Sequence, residues 1–367
     1  MKTLVRTSSK VNAEFIGLDV HRKMTMFSVL NRRGENGAAG QFPTRRKELV
    51  EFLDRTIGRR LSHVVFEASG STEWIFDLLA SRYGASRVHV VHPKAIHMIS
   101  RSSEKNDAND AWWLAYQGQE GRLPAAVIPS PAYRELRFAV RHRISLVQTR
   151  SKVIVALRSD LTAQGEELPS VKFDTPENHA ALDEIATRWT AVRRLGLVQA
   201  RSRMTSLGEQ IAEWDAVIET LSKKFPEVET LEREIPGVGP VLAATIAAEG
   251  ADVRRFKSAK AFGKYTGMVP KDHSTGGKTQ HHGEITREGS SYLRWALVQA
   301  VVHCANAKHG TGVSVGGWYR AKCRRMGNKA KARVATARKL AEAVWRLFQL
   351  GETFDLKKPF GVHEPAA

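Results

Sequence analysis

The sequence predicts an α/β domain followed by mainly helical segments, an α/β plus α fold class. Three features carry that expectation. Short apolar runs, Phe15–Leu18 and Val64–Phe66, each end in an acid, Asp19 or Glu67, and alternate with segments of helical spacing. Two long stretches, from about Tyr133 to Leu161 and from Ala180 to Phe225, are rich in helix formers with apolar residues every three or four positions. From Glu234 to about Leu350 the texture changes to short helices joined by Gly-rich loops.

Within the first domain, Phe15-Ile16-Gly17-Leu18 reads as a strand. Met26 to Leu30 and Ala38 to Phe42 flank Asn31-Arg32-Arg33-Gly34, a hairpin with a glycine in its turn. Leu49, Phe52, Leu53 and Ile57 give helical spacing across 45–57, and Val64–Phe66 forms the next strand. The breaker Ala68-Ser69-Gly70-Ser71 precedes a helix from about Thr72 to Tyr83 and a strand Val88–Val91. Strand, hairpin, helix, strand, helix, strand is the organisation of an RNase H-like core. The two long stretches, separated near Pro169 and Pro176, read as an antiparallel helical pair. It is either a coiled coil that assembles protomers or an ordinary bundle. The resulting division is 1–128 for the α/β domain, 129–228 for the helical segment, 229–350 for the last domain and 351–367 for a loose tail. Residues 1–13 read as a mobile leader, and no internal repeat is evident.

Hydrophobic residues make up 42% of the 367, which fits a globular chain. Lys and Arg number 57 against 38 Asp and Glu, a net +19 that calls for a polyanionic partner. Residues 254–346 hold 20 Lys and Arg and four acids, so most of the excess lies in the last third. No apolar run approaches membrane-spanning length, and neither end carries a signal peptide or lipidation motif, so nucleic acid is the expected partner and a membrane is not. Cys304 and Cys323 lack metal-ligand spacing, which points to a reducing cytoplasm and no zinc.

Asp19 and Glu67 each follow an apolar run, where buried strands emerge at a sheet edge and ligands collect. Lys105-Asn106-Asp107-Ala108-Asn109-Asp110-Ala111 opens a helix on which Asp107 and Asp110, three apart, share one face. Four carboxylates brought together would repel unless a divalent cation neutralised them, and Mg²⁺ suits such an oxygen-rich set. Singly, each acid reads equally as a turn residue or a helix cap.

In the last third, Ile235-Pro236-Gly237-Val238-Gly239-Pro240 lies between two helical segments and has the pattern of a helix-hairpin-helix turn, whose Gly237 and Gly239 would let backbone N–H groups approach a phosphate. A plain connection between helices is the alternative. Downstream, Ser274 falls on an expected exposed, flexible loop with Lys278, His281, His282, Arg287 and Arg294 around it, cations suited to a phosphodiester.

Taken together, these segments resemble the insertion-sequence transposases of the "one-ten" family, which include Piv-type DNA invertases and bridge-RNA-guided recombinases. The resemblance is carried by Ile16-Gly17-Leu18-Asp19-Val20, Glu67, Lys105 through Ala111, Pro236 through Pro240, Tyr265-Thr266-Gly267-Met268-Val269-Pro270, His273 through Lys278 and Gly289 through Arg294. It spans nearly the whole chain. It implies a RuvC-like domain in which Asp19, Glu67, Asp107 and Asp110 bind Mg²⁺. It also implies a serine transposase domain with its nucleophile in Ser274-Thr275-Gly276. Many relatives carry two serines before this glycine, so Ser274 is assigned and Thr275 leaves a one-residue ambiguity. The implied reaction is Mg²⁺-dependent transesterification on donor and target DNA, performed by a homo-oligomer, dimer or tetramer, with a structured guide RNA from the element. A RuvC-like nuclease and a non-catalytic nucleic-acid scaffold stand as alternatives.

If the basic third neutralises roughly 6–10 phosphates, DNA affinity measured by titration falls roughly 10³–10⁵-fold between 50 and 200 mM salt. A flat response would assign that charge to solvent or to a protein partner.

Overall fold

The computed structural model describes residues 15–31, 33–57, 63–92, 107–121, 126–170, 172–235, 237–275, 278–306 and 311–350, with backbone alone at 107–108, 272–275, 278–283, 311–314 and 350. The expected leader at 1–13 and tail at 351–367 lie outside the described residues. The chain divides into two compact units, 1–128 and 129–367.

The first unit is built on five strands, β1 (Phe15–Val20), β2 (Met24–Leu30), β3 (Asn36–Pro43), β4 (His63–Glu67) and β5 (Val88–Val91), in the order β3-β2-β1-β4-β5. β1 to β3 form an antiparallel meander, while β1, β4 and β5 run parallel. The first hairpin turns where expected: Asn31 Oδ1 accepts from the N–H groups of Arg33 and Glu35, and Gly34 takes φ +78°. Helices α1 (Arg46–Phe52, prolonged by a π turn to Ile57) and α2 (Thr72–Tyr83) cover one face of the sheet. There Ile16, Leu18, Phe27, Val29, Val64 and Phe66 pack with Leu49, Phe52, Leu53, Ile75 and Leu79. The opposite face carries Gly17, Asp19, Val65 and Glu67, by strand alternation. Helix α3 (Asp107–Gln119) lies on that face, with Leu114 against Val65 and Val91.

The second unit is helical apart from one hairpin. Two long helices, α4 (Pro131–Ala163) and α6 (Ala191–Ser222), run antiparallel, with α5 (Pro176–Arg188) at their far end. Leu157 and Leu161 meet Leu197 and Met204 there, while Leu136 and Val140 share a cluster with Ile218 at the near end. The stretch read as one helix from Ala180 to Phe225 is broken at Trp189-Thr190, because Thr190 caps α6 by accepting the Arg193 N–H. Helices α7 (Pro226–Glu234), α8 (Pro240–Gly250), α9 (Ala259–Tyr265), α10 (Ser291–Asn306), α11 (Thr311–Met326) and α12 (Lys329–Leu350) complete the unit. Every residue of α8 from Leu242 to Gly250 is buried, and the others pack around it. The last three helices, of 16, 16 and 22 residues, are longer than the expected short elements. Ala139 of α4 and Leu297 of α10 belong to one continuous core, so the long pair is rooted in the C-terminal bundle. Among the described residues no helix is long and apolar enough to cross a membrane.

At the N-terminal edge of β4, the His63 and His89 rings meet, with Nδ1 of the first 2.8 Å from Nε2 of the second, and Phe15 stacks on His63. Burial lowers the pKa of both rings, and His63 is lowered further by His89 and Arg87. Both rings are therefore favoured neutral in the fold, while an unfolded chain takes up the protons first as pH falls below about 6.5. Stability should be fully present above that pH and decline below it. Denaturant melts between pH 7.5 and 5 should show this, and His89→Gln should flatten the decline.

Candidate functional site

Asp19 and Glu67 occupy equivalent positions on neighbouring parallel strands. Leu18 pairs with Phe66, so the two acids follow one matched pair and leave the sheet at the same edge. Asp19 is only 7% exposed, and its Oδ2 accepts a hydrogen bond from His21 Nε2 at 2.9 Å. Glu67 closes β4 opposite Val91. The turn behind it is locked by the Ser69 N–H donating to Thr72 Oγ1 at 2.7 Å, with that hydroxyl donating back to the Ser69 carbonyl. Sequence reading missed His21, whose signal is the Asp-x-His spacing just beyond a strand end.

What brings α3 to these acids is the absence of a side chain. A Cβ on Gly17 would lie 1.8 Å from the Ala111 carbonyl oxygen and 2.7 Å from the Ala115 nitrogen. Backbone of strand and helix are thus in direct contact. One helical turn further, a Cβ on Gly118 would lie 2.4 Å from Val65 Cγ2. The C-terminal Gln119 reaches Gly34 in the β2–β3 turn, beside the start of β1. Helix α3 therefore runs opposite to β1, and its N-terminal turn lies toward the edge where Asp19 and Glu67 emerge. Asp107 stands one turn before Ala111 on the sheet-facing line, and the half-buried Asp110 stands beside it. Backbone topology thus brings all four positions to one edge. Among the described residues the acids do not close into a ready cluster of three metal-ligating groups, and the Asp107 side chain is not among them. The donor set is carboxylate oxygen, the chemistry of a hard divalent cation.

In the second unit, Ser274 lies on a strand rather than on a loop. β6 (Pro270–Thr275) and β7 (Lys278–Ile285) form an antiparallel ribbon in which Ser274 pairs with Thr279 and Thr275 with Lys278. Backbone pairing between the two segments produces a ribbon where sequence alone suggested a flexible loop. Gly276, Gly277 and the side chains of His273, Ser274, Thr275, Lys278, His281 and His282 lie outside the described set.

The base of the ribbon is held by two interlocked loops. A Cβ on Gly289 would lie 1.8 Å from the Tyr265 carbonyl oxygen. Gly267, at φ +67°, stands 2.8 Å by the same measure from the backbone nitrogens of Glu288 and Gly289. Arg294 Nη1 ties both loops by donating to Gly289 O at 2.7 Å and Thr266 O at 3.3 Å. Burial lowers its pKa, aided by Arg287. Arg287 itself is exposed and pairs with Glu284. Arg141 of α4 makes a bidentate pair with Glu249, which is 1% exposed, and lies over the Tyr292 ring at 5.0 Å. At the expected helix-hairpin-helix turn, Gly237 has φ +82° and its Cβ would lie 2.7 Å from His303 Cβ, so this glycine is required by packing on α10. Gly239 faces open space at the N-terminus of α8, while Pro236 lies outside the described residues.

Two family models match this chain, the first running from the α/β unit into the long helix α4. A model of the IS110 DEDD transposase domain matches residues 16–164, and the "Transposase IS116/IS110/IS902 family" model matches residues 230–312. The transposase for insertion sequence element IS1328 of Yersinia enterocolitica is 33% identical over 277 residues, covering 73% of this chain and 78% of that protein. The transposase for insertion sequence element IS1111A of Coxiella burnetii is 22% identical over 355 residues, covering 95% and 93%.

The Gly17 contact is the point at which the acids are most easily separated. Gly17→Ala should cost about 1–3 kcal/mol of stability, because the new methyl displaces α3 as a unit. Thermal melts of the full chain would show a lowered transition, and an unchanged melt would contradict the direct backbone contact.

Proposed function

The chain belongs to the IS110 family of transposases, and we propose that it cuts and rejoins DNA by serine-mediated transesterification at a Mg²⁺ site, directed by a guide RNA from its own element. It is a DNA-transposing enzyme, and its DEDD domain points to divalent metal use. The observation that carries the finer reading is the direct seating of α3 on Gly17, which turns the Asp107 and Asp110 positions toward the edge shared by Asp19 and Glu67. The strand order β3-β2-β1-β4-β5 with its parallel half supports a RuvC-like, RNase H-type core.

Asp19, Glu67, Asp107 and Asp110 would hold the metal. Mg²⁺, when bound, stabilises negative charge on the oxygens of a phosphoryl displacement. Ser274 Oγ forms a bond to the scissile phosphorus and loses its proton to solvent. The bridging bond to the departing deoxyribose oxygen breaks, and that oxygen takes up a proton. The phosphoseryl link keeps the ester for rejoining by a DNA hydroxyl, so no nucleotide cofactor is consumed. Gly237, Gly239, Lys278, Arg287 and Arg294 form the proposed phosphate-facing set. Backbone N–H groups at the glycines and the cations hold phosphate, and pairing to the guide RNA then selects donor and target. Exposed Phe138, Leu195 and Val192, the last 81% accessible, support the long helical pair as the surface on which protomers assemble into a dimer or tetramer. The setting is the bacterial cytoplasm, at the nucleoid.

Labelled DNA on denaturing gels, with peptide mapping of any adduct, tests the reaction. Ser274→Ala should lose adduct and product by roughly 10³-fold or more while keeping assembly. Asp19→Ala and Asp110→Ala should lose cleavage yet keep DNA affinity. An adduct on Thr275 would move the nucleophile by one residue. Normal cleavage by Ser274→Ala with no adduct would make the protein a hydrolytic nuclease.

A further inference from the structure

Helices α11 and α12 form a hairpin that lies, from residue 313 onward, beyond the residues that either family model matches, which end at 164 and 312. Between positions 320 and 339 this hairpin carries nine Lys and Arg and no acid, so it cannot neutralise itself locally. Its inner side is committed to packing: Ala332, Thr336, Ala337, Leu340, Ala341 and Val344 are buried. The cations are thereby concentrated on the remaining faces. Gly327, at φ +60°, and Asn328, whose Oδ1 accepts the Lys331 N–H at 2.9 Å, set the turn between the helices.

Four of these cations gather across the two helices. Lys322 is half-buried, with Nζ 4.9 Å from the centre of the Trp318 ring. Burial lowers its pKa, and Arg325, Arg338 and Lys339 lie near enough to lower it further. Arg338 Nε is buried and has no hydrogen-bond partner among the described residues. Glu342, just past the segment, is engaged by Lys339 at 2.7 Å. Grouped like charges raise the free energy of the protein alone, and a polyanion laid over the exposed parts of the group lowers it.

The cluster is also tied to the ribbon that bears Ser274. Gly263 of α9 lets Arg338 and Glu342 pack close, with Cγ atoms 3.7 and 3.5 Å from where its Cβ would stand. Trp345 Nε1 donates to the Phe256 carbonyl at 2.8 Å. Helix α9 runs directly into the Tyr265–Gly267 loop that anchors the ribbon.

We infer that Lys322, Arg325, Arg338 and Lys339 form a clamp for the sugar–phosphate backbone of duplex DNA, at a fixed offset from the Ser274 ribbon. The inference rests on the reading that the basic C-terminal third contacts nucleic acid, and it names the surface that does so. Duplex DNA is the occupant because the enzyme transposes DNA and phosphate is the complement of this charge. The clamp is assigned to the backbone because its clustered positive charge complements phosphate, which every sequence presents alike.

The test is titration of the full-length protein with mixed-sequence duplex DNA in chelator, over a salt series. Lys322→Gln/Arg325→Gln should reduce the log–log salt slope by about 1.8 and lower affinity roughly tenfold near 100 mM salt. The charge-preserving Lys322→Arg/Arg325→Lys should keep the slope, which separates lost charge from lost folding. Lys223→Gln/Lys224→Gln, an equal charge change at the end of α6, should leave the slope unchanged. An unchanged slope in the first variant, or an equal fall in the α6 variant, overturns the clamp. So does a loss confined to a structured RNA ligand. Because no cleavage is read, these outcomes stand apart from the fate of Ser274 as nucleophile.

Discussion

The contact on which the N-terminal unit depends is between two backbones, the strand at Gly17 and the helix at Ala111 and Ala115. Side chains of ordinary size would hold a helix about 10 Å from a sheet, whereas this seam of Gly17, Ala111, Ala115 and Gly118 removes that spacer. Close seating fixes both the depth and the direction of the helix. It explains how acids some ninety residues apart in sequence, Asp19 and Asp110, are carried to one sheet edge. The proposed grouping of the carboxylates would work against their mutual repulsion, and the strands that carry Asp19 and Glu67 are held by the packing of Ile16, Leu18, Val64 and Phe66 on the other sheet face.

A second glycine interlock does comparable work in the C-terminal unit. Gly267 and Gly289 bring two loops together more tightly than any side chain would permit, and Arg294 crosses between their carbonyls. The role of Arg294 is thereby at least partly structural, since two of its hydrogen bonds go to the protein itself. Arg141, with Glu249 and Tyr292, couples the long helix to the same region. Such a pair with one partner buried adds little net stability, but loss of Arg141 strands the buried Glu249 charge, so it specifies one arrangement. The ribbon carrying Ser274 thus rises from a rigid base.

How far the site was legible depended on whether its signal was local. Asp19 and Glu67 were readable because each follows an apolar run, and the strands end there. Asp107 and Asp110 were readable as a helical i, i+3 pair. His21 was passed over, because an exposed histidine after a strand has no pattern until its hydrogen bond to Asp19 is seen. Ser274 was expected on a loop and stands on a strand, because its ribbon is specified by cross-strand pairing with β7. Gly237 was legible as a turn residue, and only the fold shows that His303 of α10 stands against it.

The sequence by itself determined the alternation of strands and helices, the break between an α/β part and a helical part, the basic last third and the family. Those properties follow from periodicity, composition and short motifs, which act over a few residues. Tertiary structure alone decided that α3 runs opposite to β1, that the long helices share a core with the C-terminal bundle, and that Lys322 and Arg338 stand in one charged cluster. Each of these depends on which surfaces meet, and that is set by the size and shape of residues far apart in the chain. The glycines show the reason most plainly: in sequence each is a missing side chain, and only the fold reveals which backbone occupies the space.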